Sequence, residues 1–282
     1  MKMVGVGTET YLYINGISTA NMEGIPLHDG TMLAPVTADF HYGKVSDLLK
    51  NDVDYAVAAV SGRTISSQIR IKASNEEELA RNAWNAAWDC VLLGALFHCE
   101  VMCNIQCDKP VEKLNNASYI NVTNYEFRAM LSAPYCLTQD DEAWIKRYYS
   151  TAYKLLNHNS FMTAVHAMAS YQWHSMPRVQ LSILWSGIEA LFEVNTEISF
   201  RISLYIANFL AGNYAAETKK LFVKTRKLYS SRSAAVHGGK IKGDLGALVS
   251  ESAILLNRII RRCAELGELP KAENLIFPDA FA

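Results

Sequence analysis

Arg232 and His237 close the segment from Tyr229 to Gly239, and theirs are the side chains in this chain best equipped to do chemistry together. An imidazole takes up and releases a proton near neutral pH, so it can serve as general base or general acid. A guanidinium keeps its charge throughout that range and matches two phosphate oxygens at once. The run Lys227-Leu-Tyr-Ser-Ser-Arg-Ser-Ala-Ala-Val-His-Gly-Gly-Lys240 reads as a helix end stopped by two glycines. Five positions at roughly 100° each set the two side chains about 140° apart, so they do not share one straight helical stripe. A long arginine can wrap toward a histidine at a frayed end. Alternatively, copies from two chains can face each other and compose one site. The small residues Ser233, Ala234 and Ala235 permit close helix approach in either case.

As a bare pattern, Arg followed by His after four to six residues carries little weight. With 12 arginines and seven histidines, roughly one chance match is expected, and one is found. The competing structural reading is that Arg232 caps carbonyls or pairs with Glu189, and that His237 caps the helix. Glu189 sits among Ile188, Ala190, Leu191 and Phe192, so a partly buried carboxylate there calls for a cation, with Arg201 and Arg232 the candidates.

Beyond Pro134 the sequence reads as helices separated by short breakers, over about 140–157, 160–173, 177–194, 198–211, 214–236 and 245–266. This predicts an all-α bundle of five or six helices. His166 and His174 read as satisfied core or surface histidines rather than metal ligands.

The first 125 or so residues read as mixed α/β, which makes the fold class α+β, with a domain over 1–135 followed by an all-α domain over 136–282. Ile65, Ile69 and Ile71 alternate with Ser66, Gln68, Arg70 and Lys72, the period of a half-buried strand. Ser74 and Glu77 suggest a capping box, and a helix then runs to about Phe97. Trp84 and Trp88, one turn apart on it, read as core anchors. Cys99, Val101, Cys103, Ile105 and Cys107 alternate with polar residues, so the cysteine series is the inner face of a strand rather than a metal cluster. Tyr119 to Thr123 adds another strand. Thr8 to Ile17 and Met32 to Phe40 read as strands separated by the turn-rich stretch Asn21 to Gly30, where His28 and His41 are surface or turn histidines. The fold of residues 1–64 is left open by these signals. Gly5-Val-Gly7 lacks a third glycine, a preceding strand and a following helix, so it is not a dinucleotide loop.

Half of the 282 residues are apolar, enough for a real core. The longest apolar runs, such as Val91 to Phe97, fall far short of the roughly 20 residues of a membrane span. With no secretory signal at the start, the expectation is a soluble, cytoplasmic protein without a membrane partner. Six cysteines form no CxxC pair and have no matching histidine spacing, so they are expected to be reduced and buried, with no metal and no cofactor. The net charge of −1 hides an asymmetry, for residues 1–138 carry 10 basic against 15 acidic side chains and residues 139–282 carry 17 against 13. Within 198–262 stand Arg201, Lys219, Lys220, Lys224, Arg226, Lys227, Arg232, Lys240, Lys242, Arg258, Arg261 and Arg262 against Glu217, Asp244 and Glu251. Such a run is either a solvated face or a surface turned to a polyanion.

Leu184-Trp-Ser-Gly-Ile-Glu-Ala-Leu-Phe192, Phe200-Arg-Ile-Ser-Leu-Tyr-Ile-Ala and Leu228-Tyr-Ser-Ser-Arg-Ser-Ala-Ala-Val-His-Gly-Gly239, in this order and with this helix count, resemble the HEPN superfamily and its Apea-like branch. The resemblance covers roughly residues 140–267. It implies an Arg232/His237 motif with Ser233 as the polar residue after the arginine; Glu189, Arg201 and Tyr229, by their surroundings and spacing, are read as supporting residues. It also implies a metal-independent endoribonuclease acting as a homodimer in toxin or antiphage defence. The pair's chemistry agrees: a 2′-hydroxyl attacking the adjacent phosphate needs a proton shuttle and a cation for the phosphorane, and leaves a 2′,3′-cyclic phosphate and a 5′-hydroxyl. Lys224, Lys227, Lys240 and Lys242 are then the expected RNA-binding cations, and Tyr229 either contacts a base or packs. The acidic first domain is read as a sensor or regulator, with an inhibitor or activator protein as a further partner. The alternative is a non-catalytic helical module that binds RNA, a nucleotide or a protein.

Overall fold

The computed structural model describes residues 3–126, 133–194, 196–212, 214–236, 238–239 and 243–276. The fold is α+β, and the chain divides into two compact units, residues 1–94 with 99–150 and residues 95–98 with 151–282. The division falls inside two helices rather than at a linker.

In the first unit the chain runs through β1 (Glu9–Asn15), β2 (Ile17–Ser18), β3 (Ile25–His28), β4 (Thr31–Pro35), α1 (Asp52–Ser61), β5 (Ile65–Lys72), α2 (Glu76–Asn85), α3 (Ala87–Phe97), β6 (Met102–Cys107), β7 (Ile120–Val122) and β8 (Tyr135–Cys136) into α4 (Gln139–Leu155). Six strands form an antiparallel sheet in the order β3-β4-β5-β1-β6-β7, and β2 pairs in parallel with β8. β1 lies between β5 and β6, with Leu12 opposite both Ile69 and Gln106. Its odd residues Tyr11 and Tyr13 join a core with Val45, Ala58, Ile105 and Cys107, while α2 packs on β1 and β5. A central strand covered on both faces has no solvent side, which is why residues 10–15 are all buried. The polar residues this traps are satisfied locally: the Gln106 amide accepts from Val4 N–H at 3.0 Å and donates to Val4 O at 2.6 Å.

Four sequence expectations change here. The stretch read as turn-rich contains β3, and His28 on it is no surface histidine: its Nε2 meets both carboxylate oxygens of Asp89 at 3.1 and 2.9 Å. Asp89 is fully buried and also accepts from Tyr149 Oη at 2.7 Å. Burial pushes the Asp89 carboxyl upward and the His28 contact opposes that push. The partner lies 61 positions away, beyond any local spacing signal. Second, the single helix expected up to Phe97 is two helices meeting at Ala86, and Trp84, read as a core anchor, is 51% exposed. Third, Asn75 rather than Ser74 caps α2, with Glu78 reaching back to Ser74 N–H at 2.9 Å. Fourth, Cys136 is exposed on β8, whereas Cys90, Cys103, Cys107 and Cys263 are buried, and burial pushes the Cys263 thiol up to about 12.

The second unit contains α5 (Asn159–Ser170), α6 (Pro177–Phe192), α7 (Ile198–Ala211), α8 (Ala215–Val236), α9 (Leu245–Leu266) and a short α10 (Ala272–Ile276). Five of these match predicted helices closely. Pro177 at the first position of α6 removes an N–H that would have no helical partner. α6 packs against α5, α8 and α9 and buries Leu181, Leu184, Trp185, Ile188 and Leu191. Gly187 sets its distance from α5, for a Cβ there would lie 2.7 Å from the Ala167 Cβ. Among the described residues no helix is long and apolar enough to cross a membrane.

Candidate functional site

Arg178, Trp185 and Glu189 stand seven and four positions apart on α6, so they form one stripe. Tyr229 and Arg232, three apart on α8, form another. Packing of α6 on α8 brings the stripes together within the second unit. Arg232 Nη2 donates to Glu189 Oε2 at 3.0 Å, with the side chains 19% and 30% exposed. The guanidinium carbon lies 5.7 Å from the centre of the Tyr229 ring. That ring meets Trp185 edge to face at 5.2 Å, and Trp185 Nε1 donates to the buried Ser252 of α9 at 3.1 Å. A chain of contacts thus runs from the core of three helices out to Arg232. Each link restricts the rotamers of the next, which holds the guanidinium in one orientation.

The electrostatics leave capacity unused. Arg232 Nε and Glu189 Oε1 are both shut off from solvent with no hydrogen-bond partner among the described residues. Burial first, and then the Glu189 charge, pushes the Tyr229 hydroxyl above its ordinary value, with Arg232 pulling the other way. Tyr229 is therefore neutral near neutral pH, and it contributes packing rather than charge. Glu189 fixes the guanidinium through one nitrogen, which leaves other N–H groups of the fork without an acceptor among the described residues.

The end of α8 is fixed independently. Gly238 takes φ of +73°, and Gly239 N–H reaches back to Ala234 O at 2.8 Å, the six-to-one bond of a Schellman motif. Arg178 closes the same end from α6: Nη1 donates to Ala235 O at 2.9 Å and Nη2 to Gly239 O at 3.4 Å. A cation on the carbonyl end of a helix opposes the negative pole of its dipole. These bonds bracket position 237 in the sequence. The sequence reading missed Arg178, because its partners are backbone carbonyls and carry no side-chain signature; only its place on the Trp185/Glu189 stripe marks it.

The structure therefore brings together Arg232, Glu189 and Tyr229. It places Arg201 elsewhere, with its Nε 3.5 Å from Glu197 on an exposed turn, so of the two cations proposed for Glu189 it is Arg232 that serves. Ser233 is half-buried beside Arg232. Lys224 pairs with Glu251 of α9 at 3.2 Å, and Lys227 is exposed. His237, Lys240 and Lys242 lie outside the described residues. Among the described residues no group of three or more His, Cys, Asp and Glu side chains is placed to hold a metal ion. The chain matches no family model, no curated protein and no solved structure.

Proposed function

We propose that this protein is a metal-independent endoribonuclease that cleaves RNA by attack of the 2′-hydroxyl on the adjacent phosphate, and that it acts as a toxin or antiphage effector. The observation that carries this reading is the Arg232 guanidinium, oriented by Glu189 yet with N–H groups left over among the described residues, about one turn from a glycine-stopped helix end whose last residue precedes His237. The likeness of three ordered motifs to HEPN proteins supports it. In the proposed step an imidazole takes the 2′-hydroxyl proton as the O2′–P bond forms. The P–O5′ bond breaks, and a second imidazolium returns a proton to the leaving 5′-oxygen. Arg232 holds the charge that gathers on the non-bridging oxygens. Two histidines are needed for that exchange, and a homodimer through the helical unit supplies one from each copy. The first unit then acts as sensor or regulator, answering to a protein partner, in the cytoplasm.

Total RNA incubated with purified protein in EDTA, beside the His237→Ala variant, tests the reading. The expected result is cutting by wild type alone, with 2′,3′-cyclic phosphate and 5′-hydroxyl ends. Uncut tRNA, rRNA and mRNA, together with wild-type behaviour of Arg232→Ala and His237→Ala in cells, would remove it. One observation favours a second reading, that of a non-catalytic RNA-binding module: Arg232 already has a carboxylate partner. Tight RNA binding without cleavage, lost on Arg232→Ala, would establish that alternative.

A further inference from the structure

The proposed site leaves part of the basic stretch unused. Arg258, Arg261 and Arg262 recur at i, i+3 and i+4 on α9, so they project from one face. They line a cleft of about 500 Å³ whose other wall is the end of α7 and the start of α8, with Tyr214 and Glu217 facing them and Glu265 at the side. Glu217 and Arg232 are 15 positions apart on α8, about 22 Å along its axis, so this is a different place from the Arg232 site.

The three arginines are not equally committed. Arg261 is anchored, with Nη1 3.5 Å from Leu96 O and its guanidinium over the Phe97 ring at 5.5 Å. Arg262 holds Glu265 only loosely, at 3.8 Å, and its Nε is shut off from solvent without an acceptor among the described residues. Arg258 is exposed and makes no ion pair or hydrogen bond among the described residues. A planar fork with no partner among the described residues, beside the part-exposed and loosely held guanidinium of Arg262, matches the oxygens of a phosphate group. The N-terminal end of the 22-residue α8 opens onto the same cleft and adds the positive pole of its dipole. Tyr214, 78% exposed at the rim, offers a ring face that the core does not use. Aromatic faces of that kind stack any nucleic-acid base. The volume lies within the range of small-ligand sites. Two carboxylates in the lining oppose a bare anion, so charge alone is a poor basis for binding, and a ligand with both a phosphate chain and a stacking ring fits better.

We propose that this cleft binds a nucleoside polyphosphate, its phosphates on Arg258 and Arg262 and its base on Tyr214. Binding there is independent of RNA cleavage and stands or falls apart from it. Calorimetric titration of ATP into the full chain tests the proposal, with inorganic triphosphate and a short 5′-hydroxyl oligoribonucleotide as comparison ligands. Wild type is expected to bind ATP. Arg258→Ala is expected to weaken that affinity about tenfold or more, and Tyr214→Ala roughly fivefold. Arg258→Lys keeps the charge without the fork and falls between, while Arg232→Ala leaves affinity unchanged. Because Arg258 and Tyr214 are at the surface, an unchanged melting temperature without ligand checks that their variants fold. ATP is expected to raise the melting temperature of wild type and not of Arg258→Ala. Absence of ATP binding by wild type overturns the proposal. So does ATP affinity that survives Arg258→Ala combined with Arg262→Ala. Equal affinity for triphosphate or for the oligoribonucleotide overturns the assignment of a nucleoside polyphosphate.

Discussion

Two carboxylates, one in each unit, show how the same kind of group serves different ends. The Asp89 carboxylate is wholly enclosed, and its oxygens are taken up by His28 and Tyr149. Glu189 and Arg232 are only partly covered, and each keeps a polar atom without a partner among the described residues. The enclosed group is saturated, so it ties β3, α3 and α4 together and has nothing left to offer a ligand. The half-covered pair costs less to keep apart from bulk water and holds donors in reserve. Saturation marks a structural contact here; unspent capacity at a partly open position marks a candidate site.

That contrast can be broken from either side. Asp89→Ala, which strands His28 and Tyr149 around an empty position, is expected to lower unfolding free energy by about 3–5 kcal/mol in urea titrations. Glu189→Gln keeps shape and a hydrogen bond at the open pair and is expected to cost about 1–2 kcal/mol. If the two losses were equal, the distinction between the pairs would fail. Between them comes Gly187→Ala, where the added methyl meets Ala167 and forces α5 from α6, for about 1–3 kcal/mol. Arg178→Ala is expected to shift stability by about 1 kcal/mol or less, since its partners are at the surface end of a helix. Its RNA cleavage is expected to fall by roughly 10–100-fold through loss of alignment, with Arg178→Lys recovering part of the rate. The smallest effect is on pH. Burial holds His98 below its ordinary 6.5, and its Nε2 lies 2.6 Å from Tyr171 Oη. Above 6.5 His98 is neutral whether the chain is folded or not, so its contribution is fully present there. As pH falls through the depressed folded value the unfolded chain has already taken up the proton, and stability drops. Melting curves from pH 7.5 to 5 are expected to show this decline, with a shallower slope in His98→Gln.

The helical unit was the more legible of the two because its signals are local. Apolar spacing and breakers such as Pro177 and Gly212 set the helices to within a few residues. The sheet is built from distant pairings: β1 meets strands at least 50 and at least 87 positions along the chain, and nothing in Glu9 to Asn15 names them. β3 escaped notice because Ile-Pro-Leu-His is short and contains a proline. The break at Ala86 has no glycine or proline to announce it. At the site, the carboxylate among apolar residues pointed to a cation for Glu189, but only packing of α8 on α6 distinguishes Arg232 from Arg201. Arg178 was invisible, since a guanidinium on main-chain carbonyls leaves no second residue to find.

Whether Arg232 does chemistry or only completes Glu189 is decided by single-turnover cleavage of a single-stranded RNA in EDTA, comparing wild type, Glu189→Gln and Arg232→Ala. A catalytic arginine predicts a loss of about 100–1,000-fold in Arg232→Ala, and a much smaller loss in Glu189→Gln, where the guanidinium remains. Cleavage by Arg232→Ala at the wild-type rate would contradict the account and leave the pair as structure alone.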